Sequence, residues 1–371
     1  MRKVFLITER RADYSRFQPI LNIIKDDPNL DYDLVVTGLH LKKEHGNTID
    51  EIKSDGFKIF STFEMFLEDE DSGGSMVRAY AEAVKNVTYA LEKSKPDIIL
   101  SGFDIAANAA VTLAGAHMNI PVAHIQGGEV TGTIDESIRH AMSKFAHYHF
   151  AANQDACERL VKMGERSDRV FNVGCPSIDA ILDVKTDNGV FKKFNLSQPY
   201  FLLIQHPVTS EIKKSEHQIK ITLDAINECG VQTLIILPNN DAGYSKIMDQ
   251  IRSSNISSVD TLSIKDYVNL LRHSSGLIGN SSSGIHEAAS FNIPVVNIGT
   301  RQQGRLRPDN VIDVDHNIDK IVSALSECLL IKNKNISFDN IYGDGKSSQR
   351  IVDLLKTLSI DEKIIQKRIT Y

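Results

Sequence analysis

The stretch Gly276-Leu277-Ile278-Gly279-Asn280-Ser281-Ser282-Ser283-Gly284-Ile285-His286-Glu287 decides the fold. A short apolar strand runs into a turn of glycine, asparagine and serine, and a helix is expected to open at Ser282. Strand, tight turn and helix in direct succession form the unit from which parallel sheets covered by helices are built. Such a turn exposes backbone N–H groups at a helix N-terminus, where the macrodipole favours an anion. Ser281, Ser282 and Ser283 add hydroxyl donors without bulk. Glu287 follows closely enough to accept hydrogen bonds from a ribose diol. A serine N-cap would account for the same residues, so this segment alone leaves phosphate binding and plain capping open.

Outward from this segment the unit repeats. On its C-terminal side, residues 294–298 read as a strand followed by Gly299-Thr300-Arg301. On its N-terminal side lie strands at 201–204 and 233–237 and helices at 217–227 and 267–273. An earlier series has strands at 4–7, 34–36, 98–100, 121–125 and 147–151. Helices are expected at 17–24, with Pro19 in the first turn, and at 77–91, 106–116 and 134–146. The alternation predicts an α/β protein of two Rossmann-like domains with a cleft between them. The expected division is 1–184 for the first domain, a polar irregular linker at 185–199, and 200–350 for the second domain. Residues 351–371 are expected to form a C-terminal helix packing back on the first. Ligands of open α/β sheets sit beyond the carboxyl ends of the strands, so chemistry is sought in the loops that follow strands.

Composition narrows the function. At roughly 100–200 residues per domain, 371 residues agree with two domains. A net charge of −6 offers no broad cationic field for nucleic acid or an anionic membrane, so neither is expected as a partner. Cys157, Cys175, Cys229 and Cys328 are far apart without a CxxC spacing and read as free thiols of a reducing compartment. The apolar run after Met1-Arg2-Lys3 is broken by Glu9, Arg10 and Arg11. No run approaches the about 20 apolar residues of a membrane span, and a cytoplasmic protein is expected. Neither GxGxxG nor GxxxxGK[ST] occurs, which disfavours a dinucleotide cofactor or a Walker-type ATPase.

Several loops after strands carry candidates. Arg11 and Arg16 follow the first strand and Arg301 a later one, where cations face a diphosphate or form a solvated cluster. His206 in Gln205-His206-Pro207-Val208-Thr209 and Asp104 in Ser101-Gly102-Phe103-Asp104 also end strands. A core histidine and a helix N-cap are the bland alternatives. The segment from His124 to His140 is the densest polar stretch, with Glu129, Asp135 and Glu136. Several carboxylates in one desolvated loop suit proton transfer, because burial and like charge separate their pKa values. His124, His140, His147 and His149 show no HExxH spacing, so a metal is not expected.

Taken in order, Arg11-Ala12-Asp13-Tyr14-Ser15, Thr37-Gly38-Leu39-His40, Gly127-Gly128-Glu129-Val130-Thr131-Gly132-Thr133-Ile134-Asp135, Ser137-Ile138-Arg139-His140, Gln205-His206-Pro207-Val208-Thr209, Pro238-Asn239-Asn240-Asp241, Gly279-Asn280-Ser281-Ser282 and Gly299-Thr300-Arg301-Gln302 form a specific set. Together they resemble the hydrolysing UDP-N-acetylglucosamine 2-epimerases, nearest the branch serving nonulosonic (sialic-type) acids. The resemblance implies a glycosyltransferase-B fold, a homodimer or homotetramer, a UDP-sugar substrate, and neither redox cofactor nor required metal. It implies loss of the C2 proton with expulsion of UDP to give a glycal, then addition of water with inversion at C2. Arg11, His206, Asn240, Ser281, Ser282, Ser283, Glu287 and Arg301 would bind UDP. Asp104 and Asp135 would exchange protons, with Glu129 and Gln126 beside them and His206 meeting the departing diphosphate. His40, Gln126 and Arg139 would contact the sugar.

The sequence departs from this family in the sugar half. The usual Gly-Asp-Arg is Phe103-Asp104-Ile105, a carboxylate that often follows is Ala107, and the glutamate after His124-Ile125 is Gln126. A glutamine amide hydrogen-bonds but exchanges no proton near neutral pH. Glu129 or Asp135 taking over the proton transfer, a substrate altered at C4 or C6, and hydrolysis without inversion all remain open. The leading expectation is conversion of UDP-N-acetylglucosamine to N-acetylmannosamine. The same reaction on UDP-2,4-diacetamido-2,4,6-trideoxyglucose is the alternative. A retaining glycosyltransferase and a nucleotide-sugar-binding protein are the competing classes.

Overall fold

In a computed structural model that describes residues 1–43, 47–67 and 72–370, two parallel sheets organise the chain. The first contains β1 (Arg2–Thr8), β2 (Leu30–Val36), β3 (Ile59–Thr62), β4 (Ile98–Gly102), β5 (Val122–Ile125), β6 (Tyr148–Ala151) and β7 (Val170–Asn172), in the order β3-β2-β1-β4-β5-β6-β7. The second contains β8 (Tyr200–Ile204), β9 (Gln232–Ile236), β10 (Ser258–Val259), β11 (Gly276–Gly279), β12 (Val295–Ile298) and β13 (Val311–Val314), in the order β10-β9-β8-β11-β12-β13. All pairings are parallel. The strand order reverses between β1 and β4 and between β8 and β11, and the crevices at such reversals are where ligands bind.

The central strands read as unbroken apolar runs because helices bury both faces. Val4 and Leu6 pack with Phe17, Ile20 and Leu21, whereas Phe5 and Ile7 pack with Ala83, Ala107 and Val111. In the second sheet Phe201 and Leu203 face Ile219 and Leu325, and Leu202 and Ile204 face Leu270 and Leu271. Asp13 starts the first helix, Arg11–Asp26, by accepting hydrogen bonds from the backbone N–H groups of Glu9 and Arg10 at 2.9 and 2.8 Å. No helix among the described residues is long and apolar enough to cross a membrane.

The segment 185–199 departs from the expected irregular linker. It holds the short helix Gly189–Lys193 and buries Val190 and Leu196 in the core of the second domain beside Leu202. Val190 and Phe194 lie four residues apart on one helical face, an apolar signal outweighed in the sequence by the surrounding polar residues. The C-terminal helix Ser347–Thr357 starts before residue 351 and buries Ile351, Val352 and Leu355 against Phe17 and Leu21 of the first domain. Lys356 pairs with Asp27 at 2.7 Å there. Tyr371, the end of the segment expected to be helical, lies outside the described residues. Residues of both domains, Ala152, Cys175, Val268, Ile285 and Tyr342, share one apolar cluster at the crossing. All four cysteines are free.

Candidate active site

The carboxyl ends of the two sheets face each other across a cavity of about 360 Å³ lined by the loops that follow β1, β4, β5, β8, β9, β11 and β12. On the second domain, β11 ends at Gly279, whose φ of 116° and whose Cβ position, 2.1 Å from the Ile204 carbonyl oxygen, exclude a side chain. The Asn280 amide then ties the loops after β11 and β8 together. Its Oδ1 accepts from His206 N at 2.7 Å and its Nδ2 donates to His206 O at 2.9 Å. Ser281 caps the five-residue helix Ser282–His286, and Ser281, Ser282 and Ser283 all line the cavity. Ser283 Oγ donates to the Glu287 carboxylate at 2.8 Å and also meets the Tyr267 hydroxyl. Burial raises the Glu287 carboxyl above its usual range against the opposing pull of Arg16. The Arg16 guanidinium lies 4.8 Å over the Phe103 ring.

His206 Nδ1 accepts from Asn239 N at 3.2 Å, so in the neutral ring Nε2 carries the hydrogen. Burial, reinforced by Arg301 and Arg10, keeps the imidazole well below its ordinary pKa. His206 therefore offers a neutral donor rather than a positive charge. The cations here are Arg301 of this domain and Arg10 of the first, each 3.7 Å from Asp241. Arg301 Nε is buried without a partner.

The first domain supplies carboxylates. Phe103 adopts φ 70° at the end of β4 and Asp104 follows it, ion-paired with Arg139 of the helix Ile134–Phe145. Burial works against the Asp104 charge, but Arg139, Arg305 and Arg10 outweigh it and hold the carboxyl below its usual range. Asp135, on the first turn of the same helix, shifts the other way. Burial raises it, as does the negative charge of Asp104, against the pull of Arg301. Two carboxyls lining one cavity are thus driven apart, one toward the anion and one toward the acid, the arrangement that separates a base from an acid.

Gln126, at φ 59° after β5, donates from Nε2 to Glu129 Oε1 at 3.1 Å, and its Oε1 is buried without a partner. Glu129 is 3% exposed and meets the second domain, 3.1 Å from His286 Nε2 and 3.2 Å from Arg305 Nε. Burial opposes its charge, yet the surrounding His286, Arg305 and Arg139 prevail and the carboxyl lies far below its usual range. Burial also holds the His286 ring at about 4, hence neutral. The charge partners of Glu129 are therefore the two arginines, with His286 donating a hydrogen bond. Other contacts cross the cleft nearby: Gly132 N donates to Arg301 O at 3.0 Å.

Four of the expected residues have surroundings that the sequence did not show. Glu129 lines the cavity but is also gripped between the domains by His286 and Arg305, a setting that suits a closing contact as well as a proton carrier. His40 is fully buried behind the cavity wall, its two ring nitrogens bonded to Thr8 Oγ1 at 2.9 Å and Thr48 Oγ1 at 2.6 Å. Asn239 lines the cavity in place of Asn240. Arg11 lines it too, but Glu51 holds its guanidinium at 2.7 Å and its Nη1 donates across the cleft to Thr261 Oγ1 and Leu262 O at 2.5 and 2.6 Å. Asp104, Asp135, Gln126, Arg139, His206, Ser281, Ser282, Ser283, Glu287 and Arg301 come together around the cavity. Arg10, His286, Arg305 and Tyr267 join them although the sequence did not single them out, and Asp241 pairs with Arg10 and Arg301. Arg10 carried a signal, a second cation in the run after β1. Arg305 and His286 carried none, because only the closed arrangement of the domains brings them to Glu129. Among the described residues no group of three or more His, Cys, Asp or Glu side chains could hold a metal ion.

Two doubly wound domains with a shared cleft and a C-terminal return helix define a protein of the glycosyltransferase-B type. The solved structure of UDP-N-acetylglucosamine 2-epimerase from Neisseria meningitidis bound to UDP-N-acetylglucosamine has the same fold, with a TM-score of 0.80, 20% identity, and coverage of 95% of this chain and 99% of that one. The profile of the family described as UDP-N-acetylglucosamine 2-epimerase matches residues 22–356, and the chain belongs to that family of enzymes. It is 38% identical to the UDP-N,N'-diacetylbacillosamine 2-epimerase (hydrolyzing) of Legionella pneumophila over 99% of both chains. It is 28% identical to a UDP-N-acetylglucosamine 2-epimerase of Neisseria meningitidis over 99% of this chain and 98% of that one.

Proposed function

We propose that this enzyme is a hydrolysing 2-epimerase that converts a UDP-linked 2,4-diacetamido-2,4,6-trideoxyhexose to UDP and the free sugar inverted at C2. The observation that carries the reaction is the oppositely shifted pair Asp104 and Asp135, set in one cavity with His206, Arg301 and Arg10. Asp104, held as the anion, takes the C2 proton while the C1–oxygen bond breaks and its electron pair leaves with UDP. The His206 Nε2–H and the two arginines meet the growing diphosphate charge, which such preplaced donors stabilise most in a dry site. Asp135, biased toward its protonated form, delivers a proton to C2 of the glycal from the opposite face. Water adds its hydroxide at C1 and its remaining proton restores Asp135. The proton taken by Asp104 leaves to solvent, and UDP departs.

The choice of sugar rests on the sugar wall and on similarity. Phe103 and Ile105 make that wall apolar beside Asp104, which suits a C6 methyl and leaves a C6 hydroxyl without a partner. Gln126 cannot exchange a proton. Its Nε2 is committed to Glu129, which turns Oε1 into the free acceptor for an N–H such as that of a C4 acetamido group. The 38% identity with the Legionella pneumophila enzyme supports the same choice over UDP-N-acetylglucosamine. Turnover of the two UDP-sugars, followed by product NMR, tests it. A kcat/KM in favour of the 2,4-diacetamido sugar is expected. Equal or better use of UDP-N-acetylglucosamine would refute the substrate assignment, and release of UDP from neither sugar would refute the reaction.

A further inference from the structure

Beyond the helix Ser347–Thr357 the chain continues as a strap across the back of the first domain, and its seat is built for it. Tyr148 OH donates to Ser359 O at 2.6 Å, Ile364 is buried, and Thr370 N donates to Gly164 O at 2.9 Å. Gly164, at φ 89°, has no room for a side chain, since a Cβ there would lie 2.3 Å from Ile369 Cγ1. The strap delivers one charge to one place. Lys367 Nζ donates to Ser143 O at 2.9 Å and Lys144 O at 3.1 Å, and pairs with Glu165 Oε2 at 2.6 Å. Those carbonyls belong to the last turn of the helix Ile134–Phe145. Carbonyls there lack helical partners, and the macrodipole favours a cation. Glu165, 3% exposed, also binds Lys144 Nζ and His149 Nε2, each at 2.9 Å, which holds the group rigidly.

The clamped helix is the one whose first turn carries Asp135 and whose middle carries Arg139. A second path leads from Ser143 to the same site. Its hydroxyl lies 3.1 Å from Arg139 O and 3.2 Å from His124 Nδ1, and His124 Nε2 is 3.3 Å from Phe103 O, the carbonyl preceding Asp104. Both halves of the Asp104–Arg139 pair are therefore backed by Ser143, and Ser143 is backed by the strap. We infer that Lys367 is a positioning residue: the C-terminal strap fixes the helix Ile134–Phe145 and, through Ser143 and His124, sets the geometry of the Asp104–Arg139 pair. None of these three residues lines the cavity, so their loss leaves the nucleotide wall untouched.

This inference rests on Asp104 acting in the reaction, and the experiment separates the two. Wild type, Lys367→Met, Lys367→Arg and Asp104→Asn are compared for UDP affinity by calorimetry, for KM and kcat of UDP-sugar turnover, and for thermal stability. Displacement of reacting groups by about 1 Å costs up to about a hundredfold in rate. Lys367→Met is therefore expected to lose about tenfold or more in kcat, with UDP affinity and KM within about twofold of wild type. Lys367→Arg, which keeps the charge at the helix end, recovers most of the loss. Unchanged kcat in Lys367→Met overturns the inference. So does a loss shared equally by UDP affinity and kcat, or one that Lys367→Arg fails to recover. If Lys367→Met does not fold, Ile369→Ala, which loosens the strap on Gly164, must lower kcat without moving UDP affinity, and an unchanged kcat there overturns the inference equally. Full activity of Asp104→Asn instead removes the reading on which the inference stands.

Discussion

Glu129→Gln separates two roles for a carboxylate that the sequence places among the catalytic candidates. The side chain is nearly completely buried, lies 3.2 Å from Arg305 Nε and 3.1 Å from His286 Nε2, and joins the first domain to the second. Removing one partner of a buried ion pair leaves the other charge unpaired, at a cost of about 3–5 kcal/mol. Arg305 would keep its burial and lose its nearest anion. For domains of this size, about 2–4 °C per kcal/mol turns that cost into a fall in Tm of about 6–20 °C. The effect depends on pH with a definite sign. The folded carboxyl lies below the unfolded value of 4.5, so its contribution is present above that value and is lost as pH falls below it. Wild type and variant should therefore differ most near neutral pH, and the difference should begin to shrink once pH drops below 4.5. Calorimetry at pH 7 and pH 4 reads the full difference and the start of its decline. A variant with unaltered Tm at pH 7 that loses about 10²–10⁴-fold in kcat, as removal of a general acid or base does, would show that Glu129 carries protons and that its description as a closing contact is wrong.

Three further predictions follow from the same geometry. A Cβ on Gly132 would lie 1.9 Å from Thr300 O across the cleft, so Gly132→Ala should block closure. KM for the UDP-sugar should rise, or kcat fall, by about tenfold or more, and Tm should fall as the Glu129 contacts across the same cleft are disturbed, whereas wild-type kinetics would show that closure does not bring these backbones together. Burial raises the Glu9 carboxyl from 4.5 to about 7. Its folded pKa is above the unfolded one, so stability is lost as pH rises from 4.5 to 7, by about 3 kcal/mol at 1.36 kcal/mol per unit. Glu9→Gln, which can still accept from Ala107 N, should stabilise the protein at pH 8 and leave it unchanged at pH 4, read by denaturant midpoints; equal effects at both pH values would contradict this. Asp104→Asn and Asp135→Asn should each lower turnover about 10²–10⁴-fold while UDP affinity in calorimetry is retained, and a parallel loss of affinity would move either residue to the nucleotide wall.

Much of the fold was legible because both sheets use central strands buried on both faces. Apolar runs such as Phe5-Leu6-Ile7 and Phe201-Leu202-Leu203, each closed by a polar turn, cannot easily be read as anything else. The segment 185–199 was not legible, since Val190 and Leu196 are two apolar residues among many polar ones, and their burial depends on a groove beside Leu202 that only the folded domain provides. Within the cavity, residues directly after strands could be nominated because parallel sheets project those loops to one end. Which neighbour faces inward could not. Asp13 fixes the start of the helix Arg11–Asp26 by binding the N–H groups of Glu9 and Arg10. Arg10 then turns to Asp241, while Arg11 turns to Glu51 and Thr261. His40 shows the same limit, since a histidine after a strand can serve the ligand or, as here, pin Thr8 to Thr48 behind it. Glu129 could not be told from a catalytic carboxylate by its own loop, because the groups that fix its charge arrive from the other domain.

The central claim, proton exchange at C2 coupled to release of UDP, is tested most directly by turnover of the UDP-2,4-diacetamido sugar in D₂O, with the released sugar followed by NMR. The account predicts one deuterium at C2 of a free sugar whose C2 configuration is inverted, formed in step with UDP. Free sugar that retains hydrogen and its original configuration at C2 would contradict it and leave simple hydrolysis in its place.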